Sequence, residues 1–291
     1  MCIGSKIQLL FQMFTLNCKG KILTTEKPLI MGILNVTPDS FYKGHLHEGN
    51  EEILKLAGKM IADGADILDI GGQSSRPGSK CISAKEEMER VLPVIKLIRQ
   101  HHNDILLSVD TFYSTVAETA VTEGVSIIND ISAGEMDNRM IDTVASLQVP
   151  YICMHMKGTP ESMQQHIHYE NVVKEVLDFF IKKIDVCIHA GINDIIIDPG
   201  FGFGKTIGHN FELLRNLSIF KMLDKPLLAG LSRKSTVYKT LNISADEALN
   251  GTTVLNTLAL NNGADILRVH DVKEAKETSN LISAYKKAAS H

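Results

Sequence analysis

The sequence has few of the features that mark several common protein classes. Its 291 residues include five cysteines, an odd number, and no two of them form a CxxC pair. This pattern argues against a disulfide-stapled scaffold and against a structural zinc site, and it favours a reducing, cytoplasmic setting. No stretch approaches the roughly 20 apolar residues that a membrane-spanning helix needs.

A strong excess of either charge is also missing. The formal net charge is −4, so no strongly basic face is predicted and nucleic acid is not an expected partner. A few local Arg and Lys residues are still enough to bind an anionic ligand. The amino terminus has neither a long apolar core nor an A-x-A-like cleavage site. We therefore expect an extension over residues 1–14 and a single domain over residues 15–291.

What the chain does contain is a recurring unit: a short apolar run, a polar or Gly-rich break, and then an amphipathic stretch. Most of the runs lack two-residue alternation, which is typical of parallel strands buried on both faces. The runs are Leu29–Leu34, Ile67–Ile70, Ile105–Val109, Ser126–Ile128, Tyr151–Met154, Ile195–Ile197, Pro226–Ala229 and Ile266–Val269. Helical patterns lie between them, over 50–63, 84–102, 170–190, 246–261 and 272–287. Pro93 should bend or interrupt the second helix.

Eight such units predict an α/β fold, a (β/α)₈ TIM barrel, with a short amino-terminal hairpin or extension beneath it. The main alternative is an open, doubly wound sheet. Its usual GxGxxG fingerprint is missing after the first strand, where the chain reads Asn35 and then VTPD.

Polar residues follow all eight predicted strands, where a barrel builds its active site. A helix N-cap explains single cases but not the whole set. Sorting by charge indicates two subsites. Asp110, Asn129 and Asp198 offer carboxylates and an amide that suit the N–H groups of a flat heterocycle, or else a buried Arg or Lys. Positive charge and hydrogen-bond donors that suit an anion come from Arg76, Lys234, Arg268 and His270.

These segments together resemble dihydropteroate synthases of the pterin-binding TIM-barrel family. The matching segments, in chain order, are MGILNVTPDSF (31–41), DIGGQSSRPG (69–78), VDT (109–111), INDI (128–131), MHM (154–156), DPGFGFGK (198–205), SRKS (232–235) and RVHD (268–271). Each one alone is moderate evidence, and the ordered set is highly specific.

The resemblance implies a transferase of folate biosynthesis and usually a homodimer. It would condense 6-hydroxymethyl-7,8-dihydropterin pyrophosphate with 4-aminobenzoate, giving 7,8-dihydropteroate and pyrophosphate, with Mg²⁺ on the pyrophosphate. The implied catalytic residues are Lys234, Arg268, His270 and Asp110. The implied pterin residues are Asp110, Asn129, Asp198 and Lys234. The implied pyrophosphate residues are Asn35, Arg76, Arg268 and His270, with Asn35 near the metal. The implied aminobenzoate residues are Ser75, Arg76, Pro77, Ser232 and Lys234.

The loop after the second strand departs from the common family pattern GESTRP, because this chain reads GQSSRP over 72–77. Ser75 keeps a hydroxyl but loses a methyl group, and Gln73 removes a carboxylate. Both changes can alter the aminobenzoate pocket and its response to sulfonamide mimics.

Three other functions are alternatives to this one. A pterin-dependent methyltransferase acting with a corrinoid protein would share the carboxylates and amide but would not need the SRK and RVH segments. A non-catalytic pterin-binding paralogue would tolerate the changes at Gln73 and Ser75. A Schiff-base aldolase would use Lys234, with adjacent Arg233 depressing its pKa.

Overall fold

The computed structural model describes residues 13–36, 46–74, 78–165 and 167–288. An antiparallel hairpin opens this part of the chain, with strands β1 (Phe14–Cys18) and β2 (Lys21–Thr25). Leu16 and Cys18 are buried among apolar side chains from the first residues of all eight barrel strands. The hairpin therefore closes the amino-terminal end of the barrel, which confirms the predicted hairpin.

Eight parallel strands form the barrel. They are β3 (Leu29–Asn35), β4 (Ile67–Gly71), β5 (Leu106–Asp110), β6 (Ile127–Asp130), β7 (Tyr151–Met154), β8 (Ile195–Asp198), β9 (Leu228–Ala229) and β10 (Ile266–Val269). Neighbours in the chain are neighbours in the sheet, and β10 pairs with both β3 and β9. A parallel bridge between Ile197 and Leu227 joins β8 to β9 and completes the circle. The predicted barrel is confirmed, and the open-sheet alternative is wrong.

The helices surround the strands. In the described residues they are α1 (Leu46–Ala62), α2 (Ala84–His101), α3 (Ser114–Thr122), α4 (Met140–Leu147), α5 (Val172–Ala190), α6 (Ile207–Arg215), α7 (Ser235–Leu241), α8 (Leu249–Asn261) and α9 (Val272–Ala288), with a 3₁₀ helix over Leu217–Leu223. Side-chain caps start several of them, as where Ser83 Oγ accepts from the Glu86 amide at the start of α2. Within the described ranges, no helix combines the length and apolarity needed to cross a membrane.

Pro93 lies inside α2 and does not end it, so the predicted interruption is wrong. Proline removes one backbone donor from a helix and crowds the preceding turn. Here Val91, Val94, Ile95 and Ile98 are buried on the same helix. Their packing against the barrel outweighs the local cost of the proline.

Two further apolar clusters surround the barrel strands, in addition to the one beneath the hairpin. The main apolar cluster fills the space between the strands and the helices. Near the carboxyl ends of the strands, Phe112, Ile131, Met154, Met163 and Phe203 form a smaller cluster. The polar strand ends therefore lie beside buried apolar side chains, where charge–charge interactions are stronger than in water.

Candidate active site

Arg268 on β10 connects the polar ends of three other strands. Its Nε donates to Asp69 Oδ2 on β4 at 2.6 Å, and its Nη2 donates to Asp110 Oδ2 on β5 at 2.6 Å. Asn129 Nδ2 on β6 also donates to Asp69 Oδ2, at 3.0 Å. Arg268 of the predicted cationic group is therefore bonded to Asp110 of the predicted carboxylate–amide group, and Asp69 links it to Asn129.

Burial and charge act against each other in this network. Burial raises the pKa of Asp110 to about 7, although the Arg268 charge opposes that rise. For Arg268, burial disfavours the cation, but the carboxylates of Asp69 and Asp110 outweigh it and raise the pKa of the guanidinium. Arg268 is therefore a permanent cation, and its charge favours the ionised form of Asp110 against the effect of burial.

Asp198 and Lys234 form a second part of the site. Asp198 Oδ1 accepts from the Gly200 amide at 2.8 Å. A Cβ built on Gly230 would lie 3.7 Å from Lys234 Nζ and 4.0 Å from Asp198 Oδ2, so both side chains converge on this glycine. Burial lowers the pKa of Lys234 to about 8, opposed by Asp198, and burial also raises the pKa of Asp198, opposed by Lys234.

Lys234 is held in place by its surroundings. Its Nζ donates to the Phe201 carbonyl and lies 4.7 Å from the centroid of the Phe203 ring, an arrangement that stabilises a cation. The preceding Arg233 has a φ of 54°. Its guanidinium binds both carboxylate oxygens of Asp271, at 3.0 and 2.6 Å, which fixes the turn that presents Lys234.

Three further predicted residues have defined positions. Ser232 Oγ lies 3.0 Å from His270 Nδ1 and accepts from the His270 amide at 3.2 Å. Asn35 Oδ1 and Asp110 Oδ2 flank Gly71, at 3.3 and 3.9 Å from a Cβ built there. Ser75, Arg76 and Pro77 lie outside the described residues, so their predicted roles stay predictions.

The base of the loop that carries those three residues is closed by hydrogen bonds. Gln73 Oε1 accepts from the Ile82 amide at 2.7 Å, and Ser79 Oγ donates to the Ser74 carbonyl at 2.6 Å. The Gly78 amide donates to the Pro160 carbonyl at 3.0 Å, which ties this loop to the one after β7. Gln73, which departs from the family pattern, therefore has a structural partner of its own.

Sequence reasoning missed a buried carboxyl group below this loop. Glu87 on α2 is fully buried, and Thr111 Oγ1 donates to its Oε2 at 3.1 Å. Burial raises the pKa of Glu87 to about 8. The only signal in the sequence is a glutamate on the apolar face of an amphipathic helix, which periodicity alone does not separate from a solvated residue.

Sequence reasoning also assigned no role to Asp69 or Lys205. Asp69 is fully buried on β4 and accepts from both Arg268 and Asn129, and Lys205 is 3% exposed in the loop after β8. The signal was the same for both: a charged residue directly beside a strand end or in its following loop.

Taken together, the fold and the site define a (β/α)₈-barrel enzyme. Its active site at the carboxyl ends of the strands combines buried carboxylates, an amide and two cations. Such a site can hold a polar heterocycle against the carboxylates while Arg268 and Lys234 neutralise an anionic group.

Comparison with known proteins makes the assignment specific. The family model described as pterin binding enzyme matches residues 31–270. The dihydropteroate synthase of Escherichia coli (strain K12) is 41% identical over 268 residues, covering 91% of this chain and 94% of that protein. The chain belongs to the pterin binding enzyme family, and within it to the dihydropteroate synthases.

Solved structures agree with this membership. A Yersinia pestis dihydropteroate synthase in a sulfonamide drug complex superposes with a TM-score of 0.87 at 39% identity, covering 94% of this chain and 100% of that one. A Xanthomonas albilineans dihydropteroate synthase with 4-aminobenzoic acid also gives 0.87 at 39% identity, with 94% and 99% covered. The resemblance seen in the sequence is confirmed.

Proposed function

We propose that this enzyme condenses 6-hydroxymethyl-7,8-dihydropterin pyrophosphate with 4-aminobenzoate, giving 7,8-dihydropteroate and pyrophosphate. The observation that carries the proposal is the position of Arg268, which binds Asp69 and Asp110 and faces the same space as Asp198 and Lys234. The name of the Escherichia coli relative and the 4-aminobenzoic acid in the Xanthomonas albilineans structure support the same reaction.

The pterin subsite consists of Asp110, Asn129, Asp198 and Lys234. Asp198 Oδ2 is the carboxylate oxygen that the Gly200 amide does not use, so it accepts from the amino and ring N–H groups of the pterin. Asn129 supplies an amide from the neighbouring strand. The Lys234 charge opposes the rise that burial causes in the pKa of Asp198, which favours the ionised form that only accepts.

The pyrophosphate subsite consists of Asn35, Arg76, Arg268 and His270. Arg268 is bound to carboxylates before the substrate arrives, so its guanidinium is pre-positioned and its desolvation cost is already met by folding. Ser232 Oγ at 3.0 Å fixes the ring of His270. Both side chains then donate to the leaving group as its negative charge grows.

The 4-aminobenzoate pocket consists of Ser75, Arg76, Pro77, Ser232 and the stem of Lys234. The described residues on either side of this segment are joined by the contacts of Gln73 with Ile82 and of Ser74 with Ser79. The sulfonamide complex of the Yersinia pestis relative supports a pocket here that also accepts sulfonamide mimics of the aminobenzoate.

The reaction then follows from the charges. The pterin CH₂–O bond breaks as its electron pair leaves with the pyrophosphate, and the electron-rich ring shares the positive charge that develops. In this proposal the Asp110 carboxylate stabilises that charge, and Arg268 and His270 stabilise the departing anion. The neutral amine nitrogen of 4-aminobenzoate attacks the methylene carbon, and the proton that it then loses passes to solvent or to the released pyrophosphate. No covalent enzyme intermediate forms.

Mg²⁺ fits this site as a companion of the pyrophosphate. Among the described residues, no three His, Cys, Asp or Glu side chains are grouped to hold a metal. The residue of this chain that we propose near the ion is Asn35, through its amide oxygen. A magnesium ion that keeps most of its ligands from phosphate and water needs few protein groups. When bound, it neutralises charge on the leaving group.

We also propose a homodimer. On the face formed by α7, α8 and α9, where α8 packs against both of the others, large apolar side chains are exposed. They are Leu241, Val254, Leu258, Leu281 and Tyr285. Several exposed apolar side chains on neighbouring helices are typical of a protein interface, and a second copy of this chain offers the matching surface.

A cytoplasmic setting and a single domain over residues 15–291, preceded by an extension over 1–14, complete the proposal. Cys18, Cys81, Cys153 and Cys187 are all free thiols. The odd number of cysteines and the lack of a CxxC pair in the sequence support a reducing compartment.

The decisive experiment measures pyrophosphate release from the pterin pyrophosphate with Mg²⁺, with and without 4-aminobenzoate. We expect release that depends on the amine and yields dihydropteroate. Pterin binding without release would identify a non-catalytic paralogue, and methyl transfer to a corrinoid protein without release would identify the methyltransferase.

A further inference from the structure

Lys205 is a buried lysine in the loop that follows β8. Its Nζ lies 3.0 Å from the Gly200 carbonyl, 3.0 Å from the Phe203 carbonyl and 3.2 Å from the His155 carbonyl. It also lies 2.9 Å from His155 Nδ1. The side chain is therefore surrounded by acceptors from two loops, the one after β7 and the one after β8.

His155 completes this arrangement as an acceptor. Burial, helped by the nearby charge of Lys205, lowers the pKa of His155 to about 2, so the ring is neutral. Its Nδ1 can then accept from the ammonium group. An ammonium has three donors and no acceptor, and four acceptors lie within reach of it here.

The two loops approach each other closely at this point. Gly200 has a φ of 70°, and a Cβ there would lie 1.9 Å from the His155 carbonyl oxygen. Gly204 has a φ of 63°, and a Cβ there would lie 2.5 Å from the Lys157 carbonyl oxygen. Carbonyl oxygens that crowd together in a dry interior repel one another unless a donor or cation lies between them.

The loop fixed in this way begins at Asp198. The Asp198 carbonyl accepts from the His155 amide at 2.9 Å, and Asp198 Oδ1 accepts from the Gly200 amide at 2.8 Å. The Phe201 carbonyl within the same loop receives Lys234 Nζ. Displacing this loop would therefore move the Asp198 carboxylate and the Lys234 cation together.

We propose that Lys205 is a positioning residue for the pterin subsite: its ammonium joins the loops after β7 and β8 and thereby fixes Asp198 and Lys234 without touching the ligand. The inference rests on the proposed function, because it assigns the pterin to Asp198. Burial lowers the pKa of Lys205 well below its usual value, and the Asp198 charge opposes that fall, so the two charges support each other. In the same way Lys205 opposes the rise that burial causes in the pKa of Asp198.

Lys205→Met tests this, with Lys286→Met as the matched control. Lys286 is also a buried lysine, and its Nζ donates to the Leu260 carbonyl at 2.9 Å, but it lies on the outer helix α9. Binding of 6-hydroxymethyl-7,8-dihydropterin pyrophosphate is measured by calorimetry without 4-aminobenzoate, so that no turnover occurs. Thermal unfolding is recorded for both variants.

We expect Lys205→Met to weaken pterin binding by about tenfold or more, because a small displacement of a binding group has large effects. Lys286→Met should lose stability and keep wild-type pterin affinity. Equal affinity in wild type and Lys205→Met overturns the inference alone. Absence of binding in the wild type overturns the proposed function, and the inference with it.

Lys205→Gln covers the case in which Lys205→Met does not fold, because its amide keeps two donors for the carbonyl groups. We expect a raised KM for the pterin with a smaller change in kcat and in the KM for 4-aminobenzoate. Hydrogen exchange should rise in the peptide covering 199–205. A purely structural role would instead lower the amount of active enzyme with both KM values unchanged, and that result would overturn the proposal.

Discussion

Arg268 Nη2 lies 2.6 Å from Asp110 Oδ2, although 158 positions separate the two residues in the chain. The pair joins the last barrel strand to the third, and Asp69 on the second strand shares the same guanidinium. One cation therefore holds two buried carboxylates at the centre of the site before any substrate binds.

Arg268→Ala should lower kcat/KM by a factor of about 30 or more, because it removes a pre-positioned donor to the leaving pyrophosphate. This factor corresponds to a loss of about 2 kcal/mol of transition-state stabilisation. The substitution should also lower stability, since Asp69 and Asp110 lose their cation. Arg99→Ala is the control: Arg99 donates to the Gly124 and Ile105 carbonyls at the amino end of the barrel. Steady-state kinetics on both variants decide the matter, and an unchanged rate for Arg268→Ala would remove Arg268 from the pyrophosphate subsite.

Asp198→Asn should weaken pterin binding by about tenfold, because a group that only accepts becomes one that also donates towards N–H groups. Asp265→Asn is a matched control. Asp265 is a buried carboxylate that accepts from the Leu227 amide at 2.9 Å, at the amino end of β9. Calorimetric titration of the pterin pyrophosphate measures the effect. Unchanged affinity in Asp198→Asn, or an equal loss in Asp265→Asn, would refute the role of Asp198.

Gly200→Ala should destabilise the protein more than Gly191→Ala. Both glycines have positive φ, 70° and 95°, but only Gly200 has an atom in the way, with nothing within 4 Å of a Cβ at Gly191. Gly191→Ala should cost about 1 kcal/mol for the left-handed backbone alone. Gly200→Ala adds the clash with the His155 carbonyl and should also weaken pterin binding. Urea unfolding compares the two variants, and equal losses of stability would contradict the observed packing.

Glu87→Gln should change how stability depends on pH. Burial raises the pKa of Glu87 from 4.5 to about 8, so between those values the folded protein holds a proton that the unfolded chain has released. The contribution of Glu87 to the free energy of unfolding therefore falls as pH rises through that window, by up to about 1.4 kcal/mol per pH unit. Glutamine stays neutral, so the variant should gain on the wild type from pH 5 to pH 8 in urea unfolding. Parallel stability profiles would show that Glu87 is ionised throughout.

Gln73→Ala should raise the KM for 4-aminobenzoate, because it removes the acceptor that holds the Ile82 amide and closes the base of the loop. Gln73→Glu restores the residue of the common family pattern and keeps an acceptor oxygen at the same place. It should therefore behave like the wild type, to within about 0.5 kcal/mol in kcat/KM. Kinetics with varied 4-aminobenzoate check both variants. A large defect in Gln73→Glu would mean that the amide nitrogen, and not the oxygen, is what the loop needs.

The sequence by itself determined the barrel and the polar strand ends. Apolar runs without two-residue alternation indicate strands that are buried on both faces of a sheet. All eight predicted runs overlap the observed strands. The long helices α1, α2, α5 and α9 were predicted from their amphipathic periodicity. They have 17 to 19 residues each, which is long enough for a strong periodic signal. The short helices α3, α4, α6 and α7, of seven to nine residues, give too few turns for a periodic signal and were not predicted.

Only the tertiary structure decided which polar groups meet. The contact between Arg268 and Asp69 spans 199 positions, and that between Lys205 and His155 spans 50, so neither leaves a local pattern. The sequence indicated two sets, carboxylates with an amide and cations, and left open whether a heterocycle or a buried Arg or Lys satisfies the carboxylates. The closed barrel brings both sets to one rim, where burial makes each charge depend on an opposite charge or a hydrogen-bond partner. That dependence joined Arg268 to the carboxylates and placed Lys205 between two loops.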